Sequence, residues 1–200
     1  MTHPEAVATD TIPDEVAAVH EAAHVVVAHV FGVPSEYATI RPEGEMRGHA
    51  KWLGPKRELP DHPARFAFLM DCELRADLER CAIAVLAGGE AVKLAFPRSG
   101  YGPGTNRGLG PDWTLDVQRE REESHHDDDR ADKLAALLAG SEAGAYRAWL
   151  SAVARRICRD EAPAIQRVAA ALVERGRVEG ADLYDLVVGP NAGPVSERRH

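Results

Sequence analysis

The sequence predicts a mainly α fold, α+β in class, in which packed helices carry a small β-sheet and end in a C-terminal helical bundle. Three observations carry this. Apolar residues recur at helical spacing over most of the 200 residues. Only two short runs are rich in strand formers, "EYATIRP" and "GHAKWLG". The main interruption, "PRSGYGPGTNRGLGP", is dense in glycine and proline and reads as a loop.

The elements follow in order. Residues 1–10 read as a flexible leader, and the domain as 11–188. "TIPDE" holds helix-start signals, with Thr11, Asp14 three residues later and Pro13 near the first turn. That helix runs to about Phe31, where Gly32 and Pro34 end it. The two strand runs, separated by the turn "EGEMRG", complete a segment of helix and small sheet over 11–60. Helices are expected over 64–125, with Cys72 to Phe96 mostly helical and another starting near Asp112. "SHHDDDR" should break the pattern, with "HHDDD" at 125–129 a solvated turn. "QREREE" reads as a solvated helix face. C-terminal helices follow over 130–188, with Tyr146 and Trp149 at core spacing, and 189–200 read as a disordered tail.

Composition excludes some functions. The chain is 44% hydrophobic and 28% charged, enough for a real core. A net charge of −8 argues against nucleic acid as the main partner, because phosphate binding needs a basic surface. Cys72, Cys81 and Cys158 are odd in number and lack CxxC spacing, as expected of reduced thiols in a cytoplasmic protein. No apolar run has transmembrane length and no signal peptide is legible, so no membrane partner is expected.

The chemistry concentrates in "VAAVHEAAHVVVAHVF" at residues 16–31. On a helical wheel Val16, Val19, Ala22, Ala23, Val26 and Val30 form one stripe, expected to face the core. His20, Glu21 and His24 fall on another side. Two histidines one turn apart can converge on one point, the geometry of an HExxH zinc site. Glu21 cannot easily share that shell but can reach a metal-bound water as its general base. The alternative is a chance pairing of core or surface histidines. His29 lies on roughly the opposite face and is not expected to ligate. A third ligand is needed. Val30 stands where a third histidine would make a metzincin pattern, which removes that class. Glu90 in "AGGEAVKL" is one candidate, and Asp112 and Asp116 in "GLGPDWTLD" are the others. His49 reads as a partly exposed strand histidine, with oxyanion stabilisation as its alternative role.

The stretch "AAVHEAAHVVVA" resembles the "AYHEAGHAL" segment of the FtsH family of zinc metalloproteases. "YATIRPEGEMRGHAKW" resembles that family's "VTIIPRG…LG" strand and turn, and "IAVLAGGEAVKLAF" its helix with "LLGGRAAEE". "GLGPDW" is similar to "GASNDL", with Gly108 and Asp112 matched, and "VAAALVERGRVEGADLYDLV" to the C-terminal helices. Five segments match in order, over most of residues 14–188. The resemblance implies a zincin-type metallopeptidase domain and a zinc-dependent endopeptidase. It makes His20 and His24 zinc ligands, Glu21 the catalytic base, Asp112 the third protein ligand and water the fourth. Ala23 replaces the family's motif glycine, and Pro111 its asparagine before the aspartate. No GxxxxGK[ST] loop occurs, so the resemblance is to the peptidase domain without its ATPase. The expected substrate is then a peptide or unstructured segment, or one presented by a separate ATPase or adaptor. The other reading is a catalytically silent or regulatory module that keeps the fold and its zinc.

Overall fold

The computed structural model describes residues 14–42, 48–52, 72–97 and 114–189, with backbone alone over 114–126. The elements are α1 (Asp14–Val30), β1 (Ser35–Thr39), β2 (His49–Trp52), α2 (Cys72–Ala95), α3 (Thr114–Ala139), α4 (Ala143–Asp160), α5 (Ala162–Arg175), β3 (Arg177–Glu179) and α6 (Gly180–Val188). The fold is mainly helical with one small antiparallel sheet. Among the described residues no helix is long and apolar enough to cross a membrane.

Helix α1 begins with Asp14 and Glu15 in its first turn and carries His29 in its last, both favoured by the helix dipole. It stops at Gly32, whose φ of 73° is left-handed. The Gly32 N–H donates to His29 O and the Val33 N–H to Ala28 O, the paired bonds that close a helix end on glycine. A single core-facing stripe is not what forms. Every residue from His20 to Ala28 is buried, whereas Val30, assigned to the stripe, is 46% exposed. The physical reason is that α1 lies centrally, covered by α2 and α5 and by β1 and β2.

The sheet has the order β2-β1-β3. In register, Ala38 opposes Ala50 on β2 and Val178 on β3. Ala38 and Val178 are buried, so one face of the sheet packs on the core. Strand β3 was not anticipated, because three residues carry too little periodicity to read. It follows Gly176, whose φ of 74° ends α5 and whose carbonyl accepts from the Ile40 N–H and the Thr39 hydroxyl.

Helix α3 runs through residues 124–130, where a break and a solvated turn were expected. Local propensity is overridden by packing. Ala131, Leu134, Ala135 and Leu138 form a buried stripe, and Arg147 of α4 pairs with both Asp128 and Asp132. Tyr146 and Trp149 stack at 5.4 Å between ring centroids, but Trp149 is half exposed and so is not core. The leader, residues 43–47 of the "EGEMRG" turn, the start of the helix expected from 64, residues 98–111 of the glycine-rich loop and the tail beyond 189 lie outside the described residues.

Candidate metal centre

Burial of α1 carries two imidazoles and a carboxylate into the interior, where unpartnered polar groups are costly. The neighbouring elements answer that cost. Helix α2 presents the Ala84 carbonyl, which accepts from the His24 Nδ1–H at 2.8 Å. This bond orients the ring and leaves Nε2 as the nitrogen with a free lone pair in neutral His24. Helix α3 brings Asp127, whose Oδ2 lies 3.2 Å from His20 Nε2 and 3.1 Å from His24 Nε2. The two rings meet edge to face with centroids 4.7 Å apart.

The donor set leaves a place for a proton or a metal ion. With Nδ1–H committed to Ala84, neutral His24 aims a lone pair at a carboxylate oxygen. Two acceptors 3.1 Å apart repel unless a proton or a metal ion lies between them. The ligating atoms of His20, His24 and Asp127 all fall within 4.8 Å of one another, and this group can bind a metal ion. Burial by itself would raise the Asp127 carboxyl, but the His24 and His20 rings outweigh it and hold the acid well below the ordinary aspartate range.

Gly88 of α2 is part of the same cradle. A Cβ there would lie 2.6 Å from both His20 Nε2 and His24 Nε2, filling the space the two nitrogens face. Gly48, just before β2, has a similar role on the other side. A Cβ there would meet Thr39 O at 2.8 Å and Glu21 Oε1 at 3.3 Å, so the chain passes close against the Glu21 carboxylate only because the side chain is absent. Glu21 is 7% exposed. Burial raises its pKa above the usual carboxylate value, against the lowering influence of the two histidines. Trp52 of β2 leans over the outer side of the centre, its ring 5.5 Å from that of His24.

The predicted site residues divide clearly. His20, Glu21 and His24 come together as expected. Asp112 lies outside the described residues. Asp116 is on α3 itself, eleven residues before Asp127, and so roughly 16 Å away along the helix axis. Glu90 is elsewhere. It accepts from Lys93 at 2.9 Å, Ser151 at 2.7 Å and Arg155 at 2.6 Å, on the side of α2 that faces α4. His49 is only partly buried and is hydrogen-bonded through Nε2 to the Tyr37 hydroxyl at 2.6 Å. Strand alternation puts it on the opposite face of β2 from Trp52. His29 packs against Tyr184, away from the centre.

Asp127 is the residue that sequence reasoning missed. A signal for it exists. The stripe of Ala131, Leu134 and Leu138 extends back one turn onto position 127. An acid at that position sits on the buried face of the helix rather than in a solvated turn.

Fold and site together define a mainly helical protein with a largely buried group of two histidines and one carboxylate that could bind a metal ion. No family model matches the chain, and no curated protein matches it.

Proposed function

We propose that this protein is a zinc-dependent endopeptidase, similar to the peptidase domain of the FtsH family, in which His20, His24 and Asp127 hold the metal and Glu21 is the general base. The observation that carries the reading is the convergence of both Nε2 atoms on Asp127 Oδ2, at 3.1–3.2 Å, beside a buried glutamate. Two ligands bonded to one tetrahedral zinc at 2.0–2.1 Å lie about 3.3–3.4 Å apart, so these separations suit such a shell. Zinc, when bound, supplies Lewis acidity and an acidified water. Glu21 would take the proton of the attacking water and deliver it to the leaving amine. Burial shifts its pKa upward, the direction that favours a group which must both accept a proton and return it. The Ala84 carbonyl keeps the His24 ring in the ligating orientation. Among the described residues β2 pairs with β1 alone, so its outer edge can take an extended peptide by strand addition, next to Trp52 and the histidines. The substrate is then a peptide or unstructured segment, with unfolding left to a separate ATPase or adaptor.

The test is zinc per chain for wild type, His24→Ala, Asp127→Ala and Asp112→Ala. Near-stoichiometric zinc in the wild type and in Asp112→Ala, with loss in the other two, is the expected pattern. Loss in Asp112→Ala with retention in Asp127→Ala would restore the ligand that the resemblance implies. A wild type that takes up no zinc after remetallation sinks the reading. Glu21→Gln should keep zinc and lose peptide hydrolysis. Unaltered function in that variant would favour a silent zinc-stabilised module instead.

A further inference from the structure

We infer that Arg130 is a substrate-recognition residue that binds a carboxylate, so that the preferred peptide carries an acidic group close to the bond that is cut. The inference rests on the peptidase reading above.

Arg130 follows Asp127 by three residues on α3, so the two side chains are neighbours on one face of the helix. Its guanidinium carbon lies 5.9 Å from the centroid of the Trp52 ring, and that ring lies 5.5 Å from the His24 ring. Arginine, tryptophan and ligand histidine therefore form one layered series, from solvent inward to the metal-binding group. Trp52 also belongs to β2, whose outer edge is the proposed docking strand for the peptide.

Among the described residues no carboxylate comes within ion-pair distance of Arg130, and its one polar contact among them is with Cys81 Sγ at 3.8 Å, a weak acceptor. Burial raises the Cys81 pKa, which keeps that thiol neutral. Other arginines are committed: Arg75 to Glu79, Arg147 to Asp128 and Asp132, Arg155 to Glu90, and Arg175 to Asp182. Arg130 is exposed, its guanidinium carbon stands 5.9 Å from the Trp52 ring centroid, and one of its terminal nitrogens donates to Cys81. The planar guanidinium has further N–H groups, and such a fork can take a carboxylate in bidentate fashion.

The experiment uses the full chain loaded with zinc and a set of tripeptide hydroxamates bearing glutamate or glutamine at one position at a time. Affinities are measured for wild type, Arg130→Lys, Arg130→Gln and Arg130→Glu, with zinc per chain and a melting curve for each. Because Arg130 is exposed, all four should fold and keep zinc. The expected result is a glutamate preference of about tenfold at one position in the wild type, the scale of a charge-assisted pair. It should be partly kept in Arg130→Lys, absent in Arg130→Gln and reversed in Arg130→Glu. Equal affinity for the glutamate and glutamine probes at every position in the wild type overturns the inference. So does a preference that survives in Arg130→Gln. Zinc-loaded protein that binds none of the probes overturns it too while leaving the metal site standing. Failure of the wild type to hold zinc removes the peptidase reading beneath it.

Discussion

Glu90 and Asp127 are both acids drawn into the protein against α2, and the groups that face them differ. Glu90 is 2% exposed and is surrounded by donors: an ammonium, a hydroxyl and a guanidinium. Burial pushes its pKa up, but the hydrogen bonds from Arg155, Lys93 and Ser151 win and hold it below the usual glutamate value. Its cluster is electrically complete. Asp127 faces two imidazole nitrogens, one of which has already committed its ring proton to a backbone carbonyl. With both rings neutral, that cluster has room for one positive charge at its centre. Gly88 and Glu90 are two residues apart on α2, about 200° around the helix, so one helix serves both clusters from opposite sides. A buried acid ringed by donors is electrically complete, whereas a carboxylate that shares one point with two imidazole nitrogens could hold a cation.

The sharpest way to break this contrast is Gly88→Ala. The new methyl would lie 2.6 Å from both Nε2 atoms, so the rings or the helix must move. Zinc affinity, followed by competition with a chromophoric chelator, should fall on the order of 100-fold, the upper range for disturbing the surroundings of metal ligands. Unchanged affinity would mean that Gly88 does not shape the centre.

The next largest effect belongs to the other cluster. Glu90→Gln should cost about 2 kcal/mol in denaturant unfolding, below the usual loss for breaking a buried pair because Lys93 and Arg155 can turn to water. Zinc per chain should stay the same. The pH dependence has a definite sign. A carboxylate whose folded pKa lies below its unfolded value contributes stability above about 4.5, and the contribution fades as pH falls through the folded pKa. The gap between wild type and Glu90→Gln should therefore be full at pH 7 and shrink on acidification below pH 4.5. A gap that does not change with pH would show that the Glu90 charge is not what matters.

The smallest effect is a control for the first. Gly89 is the immediate neighbour of Gly88, yet a Cβ on it meets nothing within 4 Å. Gly89→Ala should raise stability by about 0.5–1 kcal/mol through helix propensity and leave zinc affinity alone. Equal damage from Gly88→Ala and Gly89→Ala would show that α2 is merely intolerant of change.

Much of this was legible in the sequence where the cause is local. The end of α1 at Gly32, the strand in "EYAT", and α2 over Cys72–Ala95 follow from capping, strand formers and apolar spacing. The run "SHHDDDR" was misread because histidine and aspartate are poor helix formers, and the forces that keep it helical come from outside it. Those forces are the buried stripe below Asp127 and the Arg147 pairs on α4. Trp149 was misread for the converse reason: helical spacing marks a face, but not which faces find a partner.

By itself the sequence determined that His20, Glu21 and His24 project together from one helix, since an i, i+4 pair meets wherever a helix forms. Only the tertiary structure decided what they meet. The carboxylate opposite them is 107 residues from His20. The backbone that leaves room for them is a glycine on another helix. The tryptophan over them stands on a strand. Contacts at such separations depend on how helices and sheet pack, and packing is a property of the whole chain rather than of any segment.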